Sequence, residues 1–310
     1  MAAGGHGTRA IIAAFFANLG IAIAKFVAFV FTGSSSMLAE SIHSVADTGN
    51  QGLLLLGGRL ARRTANEEFQ FGFGRERYFW AFVVSLVLFT LGSLFALYEG
   101  VEKITHAGHE IEAVGWAFGV LGVAVVLEGF SFRTAIEESR PLLQGRSWWR
   151  FIRTSKQPEL PVVLLEDLGA LVGLLLALAA LTVAVVTGDA VWDGIGTMAI
   201  GVLLGGIAIT LAIEMRGLLI GESASPADQA AIVRAIEGTP GVARLIHVRT
   251  QHIGPNELLV GAKVGLEPGL GMGEIAGAIN EVERRVRHEI GVDTVIYVEP
   301  DLYDATGTNA

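Results

Sequence analysis

Apolar residues gather into six long runs separated by polar links, and the pattern then becomes mixed toward the C-terminus. A membrane-spanning helix needs about 20 mostly apolar residues. Six segments qualify: Arg9–Phe31, Ser36–Leu60, Tyr78–Gly100, Ala113–Ala135, Leu160–Thr187 and Val191–Leu219. After Gly221 the periodicity changes in kind. Pro226–Glu237 reads as a helix with proline in its first turn. Val242–His252 and Glu257–Leu266 read as strands joined across Gly254-Pro255-Asn256. Met272–Ile290 carries apolar residues at helical spacing, and Thr294–Glu299 reads as a last strand. The pattern predicts an α-helical polytopic membrane domain of six transmembrane helices over residues 1–220. A C-terminal cytoplasmic α+β domain, in the order αββαβ, is predicted over residues 221–310.

Composition agrees with that division. Of 310 residues, 52% are hydrophobic and only 17% charged, too apolar a balance for an ordinary soluble domain. The net charge of −9, with no basic stripe, excludes nucleic acid as a partner. The chain has no cysteine, so disulfides and thiolate ligands are excluded. Any metal site must use histidine, carboxylates, amides or water. Lys and Arg set orientation through the short connections. Arg59, Arg62, Arg63, Arg75 and Arg77 follow the second span; Arg133, Arg140, Arg146, Arg150, Arg153 and Lys156 follow the fourth. Only Lys103 stands in the link between the third and fourth spans. Both termini are therefore expected in the cytoplasm. The N-terminus carries no signal-peptide pattern, and the expected location is the cell membrane. Residues 136–159 are expected to form a long cytoplasmic connection. Its Trp148, Trp149 and Phe151 lie among arginines, a composition that meets lipid headgroups of the bilayer.

Candidate chemistry sits on the second and fifth spans. His43 and Asp47 are four residues apart, which stacks them on one face of a helix. An imidazole and a carboxylate in hydrocarbon are costly unless they meet a partner or an ion. The fifth span supplies Glu166 and Asp167, neighbours that point about 100° apart on a helix. One of them is expected to ligate directly. The other is then a second carboxylate, a proton carrier or a helix–helix contact. Nitrogen and oxygen donors from two spans suggest a site for a divalent cation. Asn18 and Asn50 are read as interhelical hydrogen-bond partners or members of the ion path, and Lys25 as snorkelling outward or pairing with Glu40. Glu128, deep in the fourth span, needs a partner or water and is a candidate for a proton path. His106 and His109, among Glu102, Glu110 and Glu112, read as loop residues. Asp189 and Asp193 read as caps or a gate rim. Gly72 and Gly74 are expected to form a turn. Gly92, Gly115, Gly119 and Gly122 are expected to let helices approach closely.

These residues resemble the cation diffusion facilitator family. The resemblance runs from about Arg9 to Asp301 and is most specific in TGSSSMLAESIHSVADTGNQ, FGFGRERYFW and the closing YVEP. It implies a homodimeric exporter of divalent cations, most often zinc and often driven by proton exchange, with a ferredoxin-like tail. The family's usual fifth-span motif is His-x-x-x-Asp. Here Asp167 holds the aspartate position and Val163 the histidine position. Glu166 then compensates, and the Glu-Asp variant resembles a branch that includes a mitochondrial zinc transporter of animals. Phe73 stands where a loop histidine is common, and Ile246, Gly277 and Tyr297 stand at tail positions where relatives carry zinc-binding histidines. A peripheral metal site is therefore not expected.

The expected ligands are His43, Asp47 and Asp167, with Glu166 or water. No resident cofactor is expected, because the cation is the cargo. One imidazole suits Zn²⁺ or Fe²⁺, and the oxygen share also suits Mn²⁺. Ligands lose protons when they bind metal, so transport couples to protons, with His43 as one candidate carrier. The chain is expected to be a secondary active transporter and not an enzyme. HExxH is absent, and the spans hold no Ser-His-Asp pattern. A non-transporting scaffold or regulator of the same fold is the competing reading.

Overall fold

The computed structural model describes residues 8–32, 35–105, 114–143 and 145–302. Side chains at 28–29, 31–32, 35–40, 42–43, 114, 116 and 302 lie outside the description. Two compact units form: Met1–Arg63 with Glu76–Arg216, and Thr64–Arg75 with Gly217–Ala310.

The first unit is helical. Its elements are α1 (Thr8–Thr32), α2 (Ser35–Leu60), α3 (Glu76–Val87), a π-helical stretch (Leu88–Leu94) and α4 (Phe95–Thr105). They continue with α5 (Val114–Leu143), the short α6 (Trp148–Thr154), α7 (Glu159–Thr187) and α8 (Val191–Ile220). The run Glu76–Thr105 is one continuous helix of 30 residues. Among the described residues, five helices are long and apolar enough to cross a membrane. The sixth long helix, α2, has 26 residues, which at 1.5 Å each spans about 39 Å. Its sequence is more polar than that of the other long helices, with Glu40, His43, Asp47, Asn50, Gln51 and Arg59 among its residues.

Several local features depart from the sequence reading. The α5 helix runs on to Leu143, so the connection expected from residue 136 begins as helix. An Arg133–Glu137 pair at 2.8 Å, one turn apart, supports this extension. Within the rest of that connection α6 is capped by Ser147, buries Phe151 and Ile152, and leaves Trp148 and Trp149 exposed. The π-helical stretch was not predicted. It packs toward α8, where Ser93 Oγ donates to the Gly201 carbonyl at 2.8 Å. Close approach continues at Gly100, where a Cβ would lie 2.9 Å from the Gly194 carbonyl oxygen. Among the described residues no atom lies within 4 Å of where a Cβ on Gly115, Gly119 or Gly122 would stand, so no close helix contact is made at these three. Asp189 Oδ1 accepts from the Val191 amide at 3.0 Å, and Asp193 pairs with Lys103 at 3.0 Å. Arg77 and Glu159 form an ion pair that ties the start of α3 to the start of α7. His106, His109, Glu110 and Glu112 lie outside the described residues.

The second unit is a two-layer α+β fold. Strand β1 (Val242–Gly254) runs antiparallel to β2 (Glu257–Leu266), and β2 pairs in parallel with β3 (Asp293–Leu302). The strand order is β1-β2-β3. Helices α9 (Pro226–Glu237) and α10 (Met272–Glu289) cover one face, and their apolar stripes meet the alternating inward residues of β2. Ile232, Ile236, Leu258, Val260, Val264, Val282 and Val286 form the centre of this core. Strands β1 and β3 run beyond their predicted ends, to Gly254 and Leu302. The link Thr64–Arg75 belongs to this unit. It turns at Gly72, whose φ of 75° is left-handed. At Gly74 it passes so near the β1–β2 hairpin that a Cβ would lie 2.9 Å from the Ile253 carbonyl oxygen.

Candidate functional site

Helix α7 opens on a fully enclosed apolar turn, Leu160 to Leu165, and then presents two carboxylates. Glu166 is 4% exposed and Asp167 0%. Successive helical residues diverge by about 100°, and the two side chains go to different neighbours. Glu166 faces α2: its Oε1 accepts from Asn50 Nδ2 at 2.9 Å and its Oε2 from Gln51 Nε2 at 2.8 Å. Asp167 faces α5, where its Oδ2 accepts from Ser131 Oγ at 2.6 Å. Gln51 is held in turn by Asn18 of α1, whose Nδ2 donates to Gln51 Oε1 at 3.2 Å. A chain of amides thus links α1, α2 and α7 through the interior of the helical unit.

Asp47 lies three residues before Asn50 and four before Gln51, hence on the same side of α2. It is half-buried, and its charge acts on Glu128, Glu166 and Asp167. His43 sits one turn earlier in α2; its side chain, like that of Glu40, lies outside the described residues. Lys25 is buried at 6% exposure and its charge reaches Glu128, so it turns inward and does not snorkel outward. Asn18 and Asn50 both act as hydrogen-bond donors between helices.

The oxygen atoms left over are the informative ones. Asp167 Oδ1 and Asn50 Oδ1 are buried and have no hydrogen-bond partner among the described residues. Asn50 Oδ1 can only accept, and so can Asp167 Oδ1 whenever that carboxyl is ionised. Buried acceptors are normally paired, and an orphan pair among acidic side chains suits a positive ligand better than another acceptor. Among the described residues no three His, Asp or Glu side chains already form a metal-holding group. To this acidic interior the described part of α2 contributes Asp47 and α7 contributes Asp167. Glu166 has both oxygens occupied by amide donors, whereas Asp167 keeps one oxygen for a ligand.

Sequence reasoning missed Gln51 and Ser131. Gln51 follows Asn50 directly, and the double amide within an apolar helix was its signal. Ser131 lies three residues after Glu128, on the same helical face. A small hydroxyl next to a lone intramembrane carboxylate was the only trace it left.

Comparison with known proteins places the chain in a family. Residues 11–220 match the family described as the cation efflux transmembrane domain. The chain is 31% identical over 245 residues to the human proton-coupled zinc antiporter SLC30A9, mitochondrial, covering 78% of this chain and 43% of that protein. It thus spans less than half of that relative's length. It is 24% identical over 294 residues to the magnetosome protein MamB of Paramagnetospirillum magneticum, covering 93% of this chain and 92% of that one. A solved MamM C-terminal domain aligns at 26% identity with 25% of this chain and 93% of its own, at a TM-score of 0.24. The family match takes in all six long helices and the α2, α5 and α7 residues described above. The chain belongs to the cation diffusion facilitator family, whose members are multi-pass membrane transporters of metal cations and not enzymes.

Proposed function

We infer that this transporter exports a divalent cation from the cytoplasm, Zn²⁺ foremost, in exchange for protons. His43, Asp47 and Asp167 hold the cation, and Glu166 stands beside them as a carboxylate steadied by Asn50 and Gln51. The observation that carries this reading is the pair of donorless acceptors, Asp167 Oδ1 and Asn50 Oδ1, buried within the helical unit. Zinc and proton coupling draw support from the relative named as a proton-coupled zinc antiporter. The oxygen-rich donor set keeps Mn²⁺ and Fe²⁺ as the second reading. Because ligands shed protons to bind metal, loading from the cytoplasm releases protons, and protons on the far side displace the cation. The cation is cargo, and no resident cofactor is proposed. The arginine-rich links support cytoplasmic termini in the cell membrane, and the protein works as a homodimer.

The test is flux into proteoliposomes, with Zn²⁺, Mn²⁺ and Fe²⁺ offered separately and internal pH recorded. Zn²⁺ uptake with opposite proton movement is the expected result. Uptake of Mn²⁺ or Fe²⁺ in its place would transfer the assignment to that ion. No flux of any ion from folded protein would leave a non-transporting scaffold as the better description.

A further inference from the structure

From Arg140 to Lys156 the chain carries Arg140, Arg146, Arg150, Arg153 and Lys156 and no carboxylate. Two of these cations are engaged within the helical unit. Arg146 donates to the Leu142 and Leu143 carbonyls at 2.8 and 3.2 Å and to Thr154 Oγ1 at 3.1 Å. That one guanidinium closes the end of α5 and holds α6 beside it. Arg153 Nε reaches Glu214 of α8 at 3.1 Å. Arg140 and Arg150 are exposed, and their side chains make no hydrogen bond or ion pair among the described residues.

Helix α6 stands between the end of one span at Leu143 and the start of the next at Glu159. It buries Phe151 and Ile152 and leaves Trp148 at 38% and Trp149 at 56% exposure beside Arg150. Exposed indoles next to an arginine at the ends of two spans suit the headgroup layer of a bilayer, where amphipathic rings and cations are both satisfied. On α5 itself, Gly129, Phe132, Arg133, Ile136, Glu137 and Arg140 line a groove of about 340 Å³. They recur every three or four residues and so form one strip of the helix. Gly129, Phe132 and Ile136 make its apolar part, and Arg133 and Glu137 neutralise each other at 2.8 Å. At the α6 end the strip finishes on Arg140. An apolar track that runs along a span and ends in an unneutralised cation has the polarity of a phospholipid, with acyl chain inward and phosphate outward.

We propose that this surface binds an anionic phospholipid, with Arg140 and Arg150 meeting the headgroup and the α5 groove taking an acyl chain. Charge selects the class of lipid. A zwitterionic headgroup brings its own ammonium and cancels the attraction, whereas an anionic one supplies the negative charge that the Arg140–Lys156 stretch lacks. The proposal does not depend on which metal cation is carried.

The experiment titrates the full chain, purified in detergent, with phosphatidylglycerol and separately with phosphatidylcholine, and counts bound lipid by native mass spectrometry. Wild type should bind phosphatidylglycerol saturably and at least about tenfold more tightly than phosphatidylcholine. One arginine at an anionic headgroup is worth about fivefold in affinity. Arg140→Gln and Arg150→Gln should each lose about that much, and the double variant should hold both lipids equally. Neither side chain supports the fold through a bond, so the variants remain folded, and Arg140→Lys should keep the preference because it keeps the charge. Equal affinity for the two lipids in wild type, or a preference that survives in the double variant, would overturn the proposal. Displacement of phosphatidylglycerol by an equal concentration of inorganic phosphate would also overturn it, leaving a simple anion site. A change of oligomeric state in the double variant would assign the face to a second copy of the chain and overturn the lipid assignment.

Discussion

The two units of this chain handle charge in opposite ways. In the α+β unit the ionisable groups mostly sit at the surface, as Lys263 does with Glu299 and Asp301, while Ile232, Leu258, Val260 and Val282 fill a purely apolar core. In the helical unit the lipid-directed surface is apolar, and the interior holds Lys25, Glu128, Glu166, Asp167, Asn50 and Gln51. Burial of the first kind drives folding. Burial of the second kind opposes it, because each charged group loses its water. A protein retains such groups where a ligand or a reaction repays the cost. The contrast therefore sets residues that hold the fold together against residues proposed to do chemistry, and each side of it can be tested.

The largest expected effect lies in the helical interior. Asp167→Asn keeps the shape and replaces an acceptor oxygen by an amide. Cation flux should fall on the order of 100-fold, as expected when a ligand and its surroundings are disturbed. Thermal stability in detergent should hold or rise, because a buried charge has been removed. Flux near wild type would remove Asp167 from the site; a collapse of stability would make it a structural residue and erase the contrast.

The next effect belongs to the other unit and runs the opposite way. Leu258 is 1% exposed at the centre of the sheet face beneath α9 and α10. Leu258→Ala should cost about 2–4 kcal/mol through lost apolar contact and the cavity left behind. Hydrogen exchange on the full chain should show the amides of Pro226–Glu237 and Met272–Glu289 losing protection together, while cation affinity of the folded protein persists. Unaltered protection would mean that this core is not what stabilises the unit.

These two sides were not equally legible in the sequence. The tail elements could be read because local signals agree. Proline opens α9, Gly254-Pro255-Asn256 closes the hairpin, and period-two alternation marks β2. The strand ends ran past the reading because pairing, which depends on the neighbouring strand, set them. Helix existence in the first unit followed from apolar length. The π-helical stretch did not, since nothing in the run LFTLGSL of Leu88–Leu94 distinguishes it from ordinary helix until Ser93 meets α8. In the site, the divergence of Glu166 from Asp167 follows from helical geometry alone. Which helix each one meets does not, because it depends on how α2 and α5 pack around α7. Gln51 and Ser131 were invisible for that reason, being ordinary polar residues until a carboxylate is placed opposite them.

The smallest effect tests the one place where the second unit behaves like the first. Glu257 begins β2 beside the link at Gly74, and its Oε2 is buried with no hydrogen-bond partner. Partial burial, helped by the nearby charge of Asp293, pushes its carboxyl above the usual range. Glu281 on α10 is the ordinary case: Arg284 and Arg285 hold its carboxyl down at about 2. The signs are opposite. Where the folded value is lowered, the unfolded chain takes up protons first as pH falls, so Glu281 contributes stability above the unfolded value that is lost toward pH 2. Where the folded value is raised, the folded chain keeps its proton longer as pH rises. Glu257 therefore begins to cost stability at its unfolded value of about 4.3, and the cost is complete above its folded value. Glu257→Gln should increase hydrogen-exchange protection of the Val242–Leu266 hairpin at neutral pH, and the gain should fade to nothing below about pH 4. A gain that stays constant across that range would assign it to packing against Gly74 and not to charge. In that case the second unit carries no buried carboxylate under strain among its described residues, and the division between the two units is sharper still.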